Sequence, residues 1–352
     1  MNSIEQQIWG FTPDGEAVIL YTMTNGTGAS VQLSNIGAGI VAVNVPDRNG
    51  NLADVALGYN SFESYFGDGP YMGKTPGRFA NRIGEGRFTL DGVEYRLAQN
   101  SGGQHLHGGL KGFANKVWDG RVETDRVVFS LVSPDGDDKY PGEVTAEVCY
   151  DWNDACELEI TYYARTDAPT IINLTNHAYF NLKGEHAGRA MEQELQLNAA
   201  KFLWYDRNCI PTGELVDVKG TPMDFTEPKP LARDIDADYE PLRIGHGYDQ
   251  SWAIDGYEKG KLSEAGVLYD PESGRRMRIL TTQPSAHVYT GNFLQGCPTS
   301  ISGGEYANRA GVAIECQAYP NSPNREHFPS TVLRPGELYN EKIVFRFETD
   351  AN

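Results

Sequence analysis

Apolar and polar residues alternate with a period of two along much of this chain. The clearest case covers residues 171–182. Ile172, Leu174, Ala178, Phe180 and Leu182 fall on one side, and Asn173, Thr175, His177, Tyr179 and Asn181 on the other. Successive strand side chains point to opposite faces, so the pattern predicts a strand with one buried and one polar face. A solvated outer face usually carries Lys, Glu and Thr. This one carries His, Tyr and Asn, directional hydrogen-bonding groups suited to a cleft for a polar small molecule. Two further segments repeat the pattern. In residues 311–319, Val312, Ile314, Cys316 and Ala318 oppose Glu315, Gln317 and Tyr319. In residues 279–289 the polar row is Thr281, Gln283, Ser285, His287 and Tyr289. Pro284 lacks an N–H, which predicts an edge or a bulge there. Three such rows predict one shared polar surface.

Strand patterns also occur at 17–23, 30–35, 40–45, 87–90, 127–132, 143–150, 157–164, 192–197, 275–280 and 342–347. Turn dipeptides punctuate them, among them Asn25-Gly26, Asn49-Gly50, Asp91-Gly92 and Asp135-Gly136. Asp91-Gly92, between Phe88-Thr89-Leu90 and Val93-Glu94-Tyr95, is the clearest hairpin. Helical periodicity is confined to 61–66 and 231–239. There is no internal repeat or linker. The expected fold class is all-β: one large antiparallel β-sandwich domain over residues 1–352, with few short helices.

Composition narrows the function. The 352 residues are 39% hydrophobic, enough for a sizeable core, and the net charge is −18. Such a surface repels nucleic acid and anionic membranes and argues mildly against a highly anionic substrate; the acidity also serves solubility. The five cysteines are odd in number and lack a CxxC, which argues against a disulfide framework and a thiolate zinc site. Cys149 and Cys316 are expected in the core. The N-terminal residues have neither a basic region nor an apolar run, and no segment approaches the ~20 apolar residues of a membrane helix. A cytoplasmic protein without a signal peptide is the expectation.

The candidate chemistry lies in His107, His177, Glu315, Asp249, Arg82, Asn81 and Gln283. A lone His is more often a structural hydrogen-bonder, but His177 shares its face with Asn173, Thr175 and Tyr179. Glu315 has Gln317 and Tyr319 beside it and no basic neighbour in its strand, which fits a cleft carboxylate capable of acid–base work. His105 and His107 stand at i and i+2, a spacing that can ligate a metal, although no carboxylate follows within a few residues. Of Arg78 and Arg82, one is expected on the surface. Asp249 ends a Gly-rich loop, where Asp usually caps a turn. Trp204, Tyr205, Trp252 and Phe293 could stack on a sugar ring, although such residues more often fill cores. Nucleotide-binding and serine-hydrolase motifs are absent.

Together these motifs resemble the aldose 1-epimerase (galactose mutarotase) family. The matching segments are Gly77-Arg78-Phe79-Ala80-Asn81-Arg82-Ile83, Leu106-His107-Gly108-Gly109, Asn173 to Leu182, Gly247-Tyr248-Asp249, Thr281-Thr282-Gln283-Pro284 with Tyr289-Thr290-Gly291-Asn292-Phe293, and Phe328 to Glu337. They span nearly the whole chain. The resemblance implies a β-sandwich with an open cleft on one sheet, no cofactor and no metal, and an aldose substrate. It implies Glu315 as base and His177 as acid. It implies Asn81, Arg82, His107, Asp249 and Gln283 as sugar-binding positions, with Tyr179 beside the acid. A carboxylate near His177 is expected to raise its pKa and keep it charged. Gln250, Ala178 and Lys139 depart from the family pattern and could shift substrate preference. A monomer or homodimer is expected. Three alternatives stand beside this reading: a non-catalytic sugar-binding protein on the same fold, a metal enzyme using His105 and His107, and a hexose 6-phosphate epimerase. The last would need a cationic pocket that the acidic chain does not advertise.

Overall fold

The computed structural model describes residues 3–350. Beside three two-stranded ribbons, its strands form three larger antiparallel sheets. The largest sheet has nine strands in the order Asp119–Glu123, Arg126–Ser133, Val144–Trp152, Glu157–Thr166, Tyr339–Thr349, Arg275–Thr281, Ser263–Tyr269, Glu194–Leu197 and Lys229–Pro230. A six-stranded sheet runs Tyr179–Phe180, Val312–Gln317, Ser285–Tyr289, Asp249–Ala253, Lys201–Tyr205 and Pro211–Asp217. A five-stranded sheet runs in chain order from Ser3–Phe11 to Leu52–Asp54.

One apolar cluster joins all three. It takes Val31 and Val43 from the five-stranded sheet, Val148, Ile160 and Phe345 from the nine-stranded sheet, and Val288, Ile314 and Cys316 from the six-stranded sheet. Two sheets packed through alternating inward residues are a sandwich, as the period-two pattern requires. The opposite face of the six-stranded sheet carries Glu315, His287, Asp249 and Ser251. The hairpin at Asp91-Gly92 pairs Arg87–Leu90 with Val93–Arg96, and both turn residues have positive φ (51° and 82°), the type I′ geometry that matches strand twist. Short helical turns are at Phe62–Tyr65 and Leu231–Arg233, and the α-helix Glu240–Gly245 follows the second expected segment rather than filling it.

Two of the three polar rows are interrupted. Only Thr170–Ile171 and Tyr179–Phe180 are strand within residues 170–182, and the two belong to different sheets. The intervening residues lie across the sandwich beneath the segment 78–81: Asn173 N–H donates to Arg78 O (3.0 Å), and Ala80 N–H donates to Asn173 O (2.8 Å). The polar side chains here serve as pins. Asn173 accepts from Ala318 N–H (2.9 Å) and donates to Ala80 O (3.1 Å), Thr175 donates to Cys316 O (2.7 Å), and Asn181 donates to Ala310 O (3.0 Å). Buried irregular backbone needs such partners. The second break is at Pro284. The chain leaves the nine-stranded sheet at Thr281 and enters the six-stranded sheet at Ser285, so Thr281 and Gln283 share no surface with His287.

Candidate active site

Residues from seven segments line a cleft of about 290 Å³ above the six-stranded sheet. Strand Val312–Gln317 supplies Glu315, and its register partner on Ser285–Tyr289 is His287. The first residue of Asp249–Ala253 supplies Asp249, opposite Tyr289. His177 enters from the irregular segment just before Tyr179. Arg82 lies in the short strand Arg82–Ile83, paired with His105–Leu106, and Asn81 and His107 flank these two strands. Tyr71 closes another side, with its ring 4.6 Å from that of His107 and 6.1 Å from that of His177, centroid to centroid.

The local backbone explains how His107 reaches the cleft. It leaves the strand with φ 49° and is followed by Gly108 at φ 84°. A Cβ at Gly108 would lie 1.7 Å from the Gly77 carbonyl oxygen, so only glycine fits. His105, in regular strand, points away. Its Nδ1 meets Ala98 O (2.7 Å) and its Nε2 meets Tyr140 OH (2.6 Å). Both its nitrogens are occupied, which removes the His105/His107 metal pair. The surface expectation for one arginine also fails. Arg78 is buried and donates to Pro141 O (2.8 Å), Gly142 O (2.8 Å) and Ser133 Oγ (2.7 Å), anchoring the segment that carries Asn81 and Arg82.

His177 Nε2 and Glu315 Oε1 stand 3.4 Å apart, beyond a strong hydrogen bond. His177 Nδ1 and Glu315 Oε2 have no hydrogen-bond partner among the described residues. Burial sets the protonation of both. It pushes the His177 imidazole down to about 3, opposite to the shift expected from its carboxylate neighbour. It pushes the Glu315 carboxyl well above the usual range, aided by Asp249 and opposed by Arg82. Desolvation is the largest cause of both shifts, and it favours a neutral imidazole beside a protonated carboxyl over the ion pair. His107 is likewise held neutral, chiefly by burial. Its Nδ1 accepts the Asn81 backbone N–H (3.1 Å), so the remaining proton sits on Nε2.

That tautomer bears on metals. His107, His177 and Glu315 each place one possible ligand atom within 4.8 Å of the others. Metal binding needs an imidazole lone pair, and His107 has spent its own on Asn81. The geometry makes His107 a hydrogen-bond donor to a ligand.

Asp249 is the ionised member of the site. Burial alone would raise it, but the Arg82 charge and the His287 hydrogen bond hold it below the ordinary carboxylate value. Its Oδ2 lies 3.7 Å from Arg82 Nη2 and its Oδ1 lies 2.8 Å from His287 Nε2. The cleft therefore collects one fixed anion, one guanidinium, a neutral donor imidazole and an acid–base pair.

Seven of the eight predicted site residues line this cleft: Asn81, Arg82, His107, His177, Tyr179, Asp249 and Glu315. Gln283 does not. Its amide donates to Tyr339 OH (3.0 Å) and, more weakly, to Leu174 O (3.4 Å), which supports the segment leading to His177. Sequence reasoning passed over Tyr71 and His287. His287 stood in the predicted polar row, and its place opposite Glu315 would have distinguished it had the break at Pro284 been placed. None of the three departures lines the cleft. Ala178 is in the core, Gln250 ties Pro241 O to the Asp249 N–H, and Lys139 ends a surface turn.

The sequence matches the family model for aldose 1-epimerase over residues 20–346. The chain belongs to the aldose 1-epimerase family. It is 38% identical to the galactose mutarotase of Bos taurus over 347 residues, covering 99% of each chain. It is 36% identical to the aldose 1-epimerase of Escherichia coli (strain K12) over 338 residues, covering 95% of this chain and 96% of that one. Among solved structures, the GalM/aldose epimerase homologue of C. elegans superposes with a TM-score of 0.86 at 30% identity, with 99% of both chains covered.

Proposed function

We propose that the protein is an aldose 1-epimerase that interconverts the α and β anomers of D-galactose- and D-glucose-type aldoses. The observation that carries this reading is the His177–Glu315 pair, separated by 3.4 Å within a cleft of hydroxyl-binding groups. Ring opening of a pyranose removes a proton from O1 and adds one to the ring oxygen. A neutral imidazole beside a protonated carboxyl has the inventory for that exchange. The ionised form, Glu315 carboxylate and His177 imidazolium, differs from the neutral pair only by a proton shift. In that form Glu315 takes the O1 proton and His177 protonates the ring oxygen. Rotation about C1–C2 presents the other carbonyl face, and closure with the roles reversed gives the other anomer. Such acid–base assistance typically contributes ~10²–10⁴-fold per group. Asp249 accepts from ring hydroxyls, and Arg82 and His107 Nε2–H donate to them. Asn81 orients the last two.

A phosphorylated sugar is disfavoured. Arg82 is the only Lys or Arg among the residues lining the cleft, and Asp249 already pairs with it. The sandwich is proposed to act as one domain, without a cofactor, nucleic acid or membrane, as a monomer or homodimer in the cytoplasm. The five unpaired cysteines and the lack of a helix long and apolar enough to cross a membrane among the described residues support that setting. Polarimetry of freshly dissolved α-D-galactose and α-D-glucose tests the activity. Acceleration over buffer is expected. Sugar binding without acceleration would favour a non-catalytic sugar binder.

A further inference from the structure

We infer that Tyr205, Ser251 and His287 form a one-way hydrogen-bond relay that positions the Asp249 carboxylate for substrate. The inference rests on the reading of Asp249 as a sugar-hydroxyl acceptor. Tyr205 OH lies 2.9 Å from Ser251 Oγ, Ser251 Oγ lies 2.9 Å from His287 Nδ1, and His287 Nε2 lies 2.8 Å from Asp249 Oδ1. Tyr205, Ser251 and His287 are each at most 1% exposed. They stand on the cleft face of three adjacent strands, Lys201–Tyr205, Asp249–Ala253 and Ser285–Tyr289, and Ser251 is the register partner of His287.

The direction follows from the last link. An ionised carboxylate only accepts, so His287 Nε2 must carry the proton. In a neutral ring Nδ1 is then a lone pair, and Ser251 must donate to it. The Ser251 oxygen is left to accept, and only the Tyr205 hydroxyl is placed to donate. Every hydroxyl in the chain is thereby oriented toward Asp249. Successive hydrogen bonds aligned in one sense polarise each other, and a second-layer partner that fixes a histidine tautomer is a known way to orient the group it serves. The relay occupies Oδ1 from the protein side and Arg82 flanks Oδ2. The remaining lone pairs of Asp249 are left directed at the substrate. Ser251 and Tyr205 do not line the cleft; they are positioning residues that act through His287.

The test combines imidazole ¹⁵N NMR with kinetics on the full chain. In wild type, His287 is expected as the neutral Nε2–H tautomer. In Ser251→Ala and Tyr205→Phe that pattern should shift, with KM for the aldose rising about three- to tenfold and kcat changing less than twofold, the signature of lost uniform binding worth one neutral hydrogen bond. In a His287→Gln background, whose amide has no tautomer to choose, Ser251→Ala should add little to KM. An imidazolium or Nδ1–H form of His287 in wild type would overturn the relay, as would strictly additive effects in the double variant. If Ser251→Ala does not fold, Tyr205→Phe removes one oxygen and decides alone: unchanged KM and an unchanged ¹⁵N pattern would also overturn it. The ¹⁵N pattern does not depend on turnover, so failure of the epimerase reading, no acceleration by wild type, is distinguishable from failure of the relay.

Discussion

Lys74 and Asp68 form an ion pair whose side chains are both 0% exposed, and it fixes the wall of the cleft that carries Tyr71. Asp68 Oδ2 accepts from Tyr59 OH (3.0 Å) and Met72 N–H (2.9 Å). Lys74 Nζ donates to Tyr65 O (2.6 Å) and lies 5.7 Å from the Tyr71 ring centroid. Replacing Lys74 with Met keeps the volume but strands a carboxylate in the interior. Removing one partner of a buried pair typically costs about 3–5 kcal/mol. Adding Asp68→Asn removes the stranded charge while its amide oxygen still accepts from Tyr59 and Met72. The double variant should therefore recover about 2 kcal/mol or more. Urea denaturation followed by tryptophan fluorescence reads both numbers. The single variant should also raise KM, because Tyr71 loses its tether beside His107. A loss under about 1 kcal/mol for Lys74→Met, or no recovery in the double variant, would refute the view that the ion pair holds this wall.

Three further outcomes follow from the site. Burial lowers His177 to about 3, so its imidazole takes up no further proton as pH falls from 7 to 5. The pH profile of kcat/KM should show no His177 step over that range, and an acid limb near 6.5 caused by His177 would contradict it. Gln283→Leu should cost about 1–3 kcal/mol by taking the amide donor from Leu174 O and from Tyr339 OH, which keeps only the Leu174 N–H, with KM within about twofold; a tenfold rise in KM at unchanged stability would make Gln283 a substrate contact. Dialysis against EDTA should leave kcat unchanged because His107 offers a proton rather than a lone pair; loss restored by zinc would contradict that tautomer.

Much of the fold was legible in the sequence because half-buried strands declare themselves by period two. Arg87–Leu90 has the expected bounds, and Val312–Gln317 presents Glu315 on the face opposite Ile314, as read. The failures share a physical cause. Alternation reports which side chains are buried in apolar surroundings, not whether the backbone is hydrogen-bonded as a strand. Residues 172–178 put Ile172, Leu174 and Ala178 into the core without strand pairing, and their asparagines hold backbone rather than face the cleft: Asn173 bonds Ala80 O and Asn176 bonds Gly73 O. Positive φ at Asn81 and His107 redirected two side chains, and side-chain spacing carries no trace of it. Pro284 signals an edge or a bulge in the sequence, and neither reading reveals that the chain crosses there from one sheet to another. The family resemblance put Gln283 at the substrate, and nothing in the row set His287 apart. The sign of the His177 shift needed the depth of burial, which only the packed structure supplies.

The central claim is that Glu315 and His177 exchange the protons of ring opening. Its most direct test is polarimetric kcat for wild type, Glu315→Gln and His177→Asn, alongside calorimetric binding of galactose. The account predicts that each substitution lowers kcat by about 10²–10⁴-fold while sugar binding is retained. Full turnover in both variants would contradict it.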